Sequence, residues 1–306
     1  MPNKTEEQFF DETSFWFIFI TSNENIAAIF INCFLICVYL SSNELKSSAS
    51  NTMFASLAFV DMSTSICFLF KITIQPMIQI PNDVQGVLYC RLIFSTYIMW
   101  GFISTSWFHI VLITLDRYIA VVYPLNYKDF SNKKGLQITL LSLTYILGFA
   151  FMGFNLNIAA SSDNNSCDYL IPTWSFTMKI ICYIYYAVYI GFLTITISFM
   201  YLYIVAKIVM SGKKSGAKLS KSQQRATFIC IVLVAEFVIC SYPNAIYSLM
   251  NIKQLAFELE WGFSGNSTFY AFTVQMVNVS CIINPIIYIS CNTKFKKAFK
   301  ELIQSY

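Results

Sequence analysis

Seven long apolar runs dominate this chain, at roughly residues 14–40, 52–80, 92–123, 136–159, 175–209, 226–250 and 268–290, broken where charged and turn residues cluster. Each holds at least the ~20 residues that a helix needs to cross about 30 Å of hydrocarbon. A segment in lipid must satisfy its own backbone hydrogen bonds, which leaves helices and closed barrels, and the alternating ten-residue strands of a barrel are absent. Composition agrees: 57% of the 306 residues are apolar and 12% charged, about half the charge of a soluble domain. The chain has too little polar surface to cover a globule, and lipid is its solvent. The expected fold class is an all-α membrane protein, a seven-transmembrane helix bundle.

Lysine and arginine concentrate in cytoplasmic loops and so give the orientation. With the N-terminus outside, fifteen of the twenty basic residues fall on inner segments, among them Lys46, Lys128, Lys133, Lys134, Lys213, Lys214 and Lys294, while nine of the sixteen acids fall outside. The expected plan is an extracellular N-terminus over 1–13, a seven-transmembrane domain over 14–290 and a cytoplasmic segment over 291–306, as in a multi-pass plasma-membrane protein. Acids precede the first run, with no basic leader and no small-residue cleavage site, so it reads as a spanning helix rather than a removed signal. Sequons at Asn3, Asn164 and Asn266 all fall on the outer side and are candidate glycosylation sites, whereas a fourth at Asn278 lies inside the seventh run. Of ten cysteines only Cys90 and Cys167 meet the oxidising side, which makes them the expected disulfide. The others sit within or beneath the membrane as small apolar groups, and none has metal-ligand spacing.

The third run ends Asp116, Arg117, Tyr118 with Pro124 and Leu125 downstream, and the seventh ends Asn284, Pro285, Ile286, Ile287, Tyr288. An amphipathic stretch from Lys294 to Ile303 follows, carrying Phe295 and Phe299. The second run carries Ser56, Leu57, Ala58, Phe59, Val60, Asp61; the first supplies Asn32; the sixth supplies Phe237 and Cys240 before Pro243. In helix and order these resemble the DRY, NPxxY, SLAxxD and CWxP motifs of the rhodopsin-like G-protein-coupled receptors, over nearly the whole chain. The resemblance implies a short helix eight and an activation switch formed by Asp116, Arg117, Tyr118, Tyr201, Gln223, Asn284, Pro285 and Tyr288. It also implies a polar core of Asn32, Asp61, Ser106, Ser280 and Asn284, similar to the family's sodium and water site. A heterotrimeric G protein, the bilayer and an extracellular small-molecule or peptide ligand are the implied partners, with no nucleic acid and no cofactor beyond a Na+ near Asp61.

The sequence departs from the pattern in four places. Ser241 stands for the helix-six tryptophan, Leu193 for the helix-five proline and Tyr145 near the helix-four tryptophan, while Cys90 lies 27 residues before Arg117, two more than usual. Met99 replaces the aspartate of amine receptors, and Asn278 replaces the lysine that would hold retinal. The remaining upper region offers Tyr97, Met99, Trp100, Tyr183, Tyr242 and Gln275 as candidate ligand contacts, most such aromatics being packing. Its one cation, Lys71, either pairs with an anionic ligand group, meets Glu24, or snorkels to the outer headgroups. Glu236, inward of Pro243, is expected protonated or hydrogen-bonded toward Asp61, and His109 is expected as a packed neutral side chain. A transporter or ion pathway through Asp61 and Glu236 is the competing class, against which stand the absence of an internal repeat and of paired broken helices. An enzyme would need a nucleophile and base or metal ligands, with one histidine on offer.

Overall fold

The computed structural model describes residues 4–81, 83–123, 127, 133–162, 166–170, 175–214, 221–257 and 267–304. Seven helices in it are long and apolar enough to span a membrane. They are α1 (Lys4–Ser41), α2 (Ala49–Thr73), α3 (Tyr97–Val122), α4 (Lys134–Phe151), α5 (Phe176–Lys214), α6 (Lys221–Phe257) and α7 (Ser267–Cys291), followed by the short α8 (Thr293–Gln304). Helix α1 begins at Lys4, ahead of the apolar run that starts near residue 14, because nothing in the intervening polar stretch stops a helix. Helices α5 and α6 likewise run past their apolar segments, to Lys214 and from Lys221. Pro243 and Pro285 sit inside α6 and α7, where each removes one backbone hydrogen bond and favours a bend.

Helix α3 lies at the centre of the bundle, packed on α2, α4, α5 and α6, while α1 packs on α2 and α7. Two buried apolar clusters fill the interior. The first, around Leu57, Leu112, Leu233 and Tyr288, lies at the Arg117 end; the second, around Trp107, Tyr189, Phe237 and Val277, lies beyond it. The outer faces stay apolar, with Phe30 at 72%, Ile195 at 71% and Ile146 at 64% exposure, the inverse of a water-soluble bundle. Helices α3 and α4 meet most closely at Gly148, where a Cβ would stand 2.2 Å from Thr105 Oγ1 and 2.7 Å from the Thr105 backbone. A glycine is required by that approach.

The segment before α3 accommodates the two surplus residues. A short helix, Val84–Tyr89, is capped by Asp83, whose carboxylate accepts from Gln85 N at 2.9 Å and Gly86 N at 3.1 Å. It widens into a π turn over Cys90–Phe94, closed by Ser95 N donating to Cys90 O at 3.0 Å. Thr96 then adopts φ 61°, the one positive φ outside glycine among the described residues, before α3 restarts at Tyr97. A β-branched residue is strained there. The hairpin of β1 (Ala159–Ser162) and β2 (Ser166–Tyr169) pairs Ser161 with Cys167 and places that cysteine over the π turn. The Cys90–Cys167 disulfide closes the contact with Cα atoms 5.6 Å apart. This is the expected link, and the anomalous spacing is a bulge.

Candidate functional site

At the end of α3 distant from the disulfide, Asp116 is 1% exposed and collects donors from three elements. Ser50 Oγ, at the start of α2, donates at 2.9 Å; Arg117 Nε donates at 2.9 Å; and the Tyr127 hydroxyl donates at 3.1 Å. Arg117 Nη2 also contacts Asp116 and Ser50 and donates to Tyr127 at 3.0 Å. The guanidinium is thus clamped by its neighbour, by α2 and by the segment after α3. Burial pushes the Tyr127 phenol above its ordinary value, so it stays protonated and keeps its role as donor to Asp116. Neither Ser50 nor Tyr127 is marked by a motif; each reaches Arg117 only through the fold. The Gln223 side chain lies outside the described residues, although α6 passes through that position.

Tyr118 packs against the ring of Tyr203 at 5.3 Å, whereas Tyr201 is half-buried on the same helix, α5. Tyr288 is fully buried, its ring stacked on Phe54 of α2 at 4.3 Å. Beyond Pro285, Asn292 Nδ2 donates to Asn51 Oδ1 at 3.0 Å, and its own Oδ1 accepts from Lys294 N at 3.0 Å to cap α8. Phe295 and Ala298 bury one face of α8, and Phe299 meets Phe34 edge-on at 5.3 Å. These contacts tie α8 to α1 and α2.

Midway along the bundle Asp61 is 2% exposed. Its Oδ1 accepts from Ser106 Oγ at 3.2 Å and its Oδ2 from Asn284 Nδ2 at 2.9 Å, joining α2, α3 and α7. Asn32 does not bond Asp61; its amide donates instead to Ala28 O at 2.9 Å and Cys281 O at 2.8 Å, locking α1 to α7. Ser280 stands beside Glu236 of α6 rather than Asp61. Around this centre lie polar atoms that are buried without a hydrogen bond: Oδ1 of Asn32 and Asn284, both amide atoms of Asn278 and both carboxylate oxygens of Glu236. Polar atoms buried in this way call for a cation, protons or water among them.

Three substitutions are answered nearby. Trp107 of α3, 4% exposed, stacks on Tyr189 at 5.8 Å and meets Phe237 edge-on at 5.8 Å, supplying aromatic bulk against α6 where Ser241 has none. Leu193, in the proline position of α5, is 2% exposed in the same cluster. Tyr145 enters a chain across α2, α3 and α4. Thr105 O can only accept, so His109 Nδ1 carries the proton at 2.9 Å; Nε2 then accepts from Ser56 at 2.9 Å, and Ser56 accepts from Tyr145 at 3.1 Å. Every group is satisfied by a neutral imidazole. His109 is packed and fully buried, and Trp107 is the residue that motif reading passed over.

The candidate ligand contacts find partners on several helices. Tyr97 turns to Phe149 of α4 at 5.8 Å, Tyr242 donates to Thr194 of α5 at 2.7 Å, and Gln275 donates to Thr21 of α1 at 2.6 Å. Trp100 packs on the second cluster and Tyr183 is half-buried on α5. Met99 joins Lys71 in a cleft between α2 and α3. The ion pairs among the described residues all lie at the Arg117 end, so Lys71 does not meet Glu24. The three outer sequons, Asn3, Asn164 and Asn266, lie outside the described residues.

A bundle of seven spanning helices carries an arginine clamped at the end of the third and an asparagine–proline pair inside the seventh. The family model of the seven-transmembrane receptors, rhodopsin family, matches residues 31–288, and the chain belongs to that family. Somatostatin receptor type 1 of Rattus norvegicus is 25% identical over 278 residues, covering 89% of this chain and 67% of the relative, and the Mus musculus receptor matches equally. Galanin receptor 2a of Danio rerio is 23% identical over 282 residues, covering 89% and 73%.

Proposed function

We propose that this protein binds an extracellular ligand at its disulfide end and rearranges its helices to activate a heterotrimeric G protein at its Arg117 end. The observation that carries the reading is the clamp on Arg117, a guanidinium held by Asp116, Ser50 and Tyr127 at the tip of a helix that runs the depth of the bundle. Releasing it exposes a cation at the inner face, and a ligand favours that state to the extent that it binds it more tightly. The relatives are named for somatostatin and galanin, both peptides, and a peptide is the ligand class we assign. The N-terminus then lies outside and α8 inside the plasma membrane, as the charge distribution favours. A Na+ near Asp61 fits the donor set, since Asp61, Ser106 and the unbonded Oδ1 of Asn284 are the hard oxygens such an ion takes. An ion there neutralises Asp61 while bound.

The test is nucleotide exchange on purified G proteins in receptor membranes, challenged with a peptide library and with Arg117→Ala alongside. A peptide that stimulates exchange through the wild type and not through Arg117→Ala supports the reading. Ion or solute flux in proteoliposomes, without any exchange, replaces it with the transporter class.

A further inference from the structure

Between the outer parts of α2 and α3 lies a cleft of 160 Å³ with an unusual chemistry. Its walls are apolar, including Ile66, Phe70, Leu92, Ile98 and Met99, and into it come Lys71 and Gln75, one helical turn apart. Lys71 has no acidic partner among the described residues, and Gln75 Oε1 is buried without a hydrogen bond. Ile66 is both a wall of the cleft and 48% exposed on the outside of the bundle, so the cleft faces the hydrocarbon. A lysine at a helix end ordinarily snorkels into water and headgroups. Here its stem and a buried amide share a space with apolar walls, an arrangement that lacks an anion.

We infer that this cleft binds a single-chain fatty acid from the outer leaflet, its carboxylate on Lys71 and Gln75 and its chain leaving past Ile66 into the bilayer. Charge complementarity supplies the head: an ammonium with three donors takes a carboxylate, and the Gln75 amide, turned about its last bond, adds an NH2 donor. Depth agrees with it. Lys71 lies ten residues beyond Asp61, about 15 Å along a helix, which is half the ~30 Å hydrocarbon thickness and brings it to the level of lipid carboxyl groups. The apolar lining and the exposed flank of Ile66 suit one acyl chain. The cleft reaches Met99, which is 4% exposed in the cluster around Trp107, so an occupant there touches the packing that joins α3 to α5 and α6. The strained turn at Thr96 forms part of the same wall.

The experiment uses the full receptor in nanodiscs of neutral phospholipid, with palmitic acid bearing a diazirine on a carbon close to its carboxyl group as the probe and no G protein present. Saturable photolabelling, mapped to residues 66–75 and 92–99 and competed by palmitic acid, is expected. Methyl palmitate and acetate should fail to compete, the one lacking charge and the other lacking a chain. Lys71→Met should weaken binding about tenfold or more, the worth of one charge-assisted bond, while Lys71→Arg retains it; the thermal melting point of each variant without fatty acid reports its folding. Equal competition by the methyl ester, equal binding to a folded Lys71→Met, or label placed on other helices overturns the inference, as does competition by acetate alone or displacement only by a peptide carboxylate. Binding is read directly, so its loss leaves the G-protein reading untouched, and a receptor that never couples can still bind the acid.

Discussion

Tyr127→Phe is the most informative perturbation of the clamp, because it deletes one oxygen and keeps the ring. The hydroxyl accepts from Arg117 at 3.0 Å and donates to Asp116 at 3.1 Å, while the guanidinium carbon stays 5.8 Å from the ring centroid in either variant. Hydrogen bonds to charged groups contribute about 1.5–3 kcal/mol each when dry. The Arg117 side chain is 12% exposed, so water replaces part of what is lost. A net loss of about 1.4 kcal/mol from the resting state raises the active-to-resting ratio roughly tenfold. A receptor resting at about 1% active then rises to about 10%, provided the bonds exist only at rest. The assay is ligand-free nucleotide exchange at matched surface expression, with Asp116→Asn as the larger perturbation of the same clamp. If Tyr127→Phe leaves basal exchange at the wild-type level while Asp116→Asn raises it, Tyr127 is a bystander. If neither variant raises it, the clamp does not set the resting state.

Three further outcomes are expected. By the family resemblance Gln223 stands where an acid would face Arg117, so Gln223→Glu should add a charge-assisted partner for Arg117 and lower basal exchange; no change at equal expression refutes it. Gly148→Val should lower the melting temperature of the solubilised receptor by the equivalent of about 1–3 kcal/mol, since its Cβ falls 2.2 Å from Thr105 Oγ1, and an unchanged melting point would mean that α3 and α4 separate freely. Non-reduced peptide mapping should recover Cys90 linked to Cys167, and replacing both by serine should cost about 2–4 kcal/mol of stability; free thiols at both positions would refute the link.

The spans were legible because burial in lipid is written in composition, and seven runs longer than 20 residues admit few other folds. Helix ends were not, since nothing between Lys4 and Phe17 breaks a helix even though the apolar signal is lost there. The Asp61–Ser106–Asn284 contact was readable from helix periodicity and family register together. Asn32 and Ser280 were placed in the right region but with other partners, because which neighbour an amide or hydroxyl meets depends on helix rotation of a few tens of degrees. A π turn and a left-handed residue just before Tyr97 break the register counted back from Arg117, so sequence spacing reaches Tyr97, Met99 and Trp100 on the continuous helix but not Cys90 and the residues before it. Ser50 and Tyr127 carry no motif; their role exists only where chain segments 66 and 11 residues from Asp116 are folded together.

The departures from the family pattern are better understood as exchanges between helices than as losses. Removing the tryptophan from α6 leaves room at Ser241, and a void of that size beside Phe237 would cost packing that the bundle cannot recover from lipid. Trp107 of α3 occupies the neighbouring space, stacked on Tyr189, whose hydroxyl lies 2.5 Å from Ser104 Oγ. The aromatic bulk that couples α6 to the core therefore rides on α3, the helix that also carries Arg117 at one end and, through the π turn, the disulfide at the other. Likewise Tyr145 keeps α4 joined to α2 because Ser56 and His109 complete its hydrogen-bond chain. In both cases a residue of α3 takes part: Trp107 in the first, His109 in the second. Met99, Ile103 and Trp107 line one buried cluster along the helix whose tip holds the clamp. On the proposed function, α6 would move by Phe237 shifting against Trp107 rather than by rotation of a tryptophan at position 241.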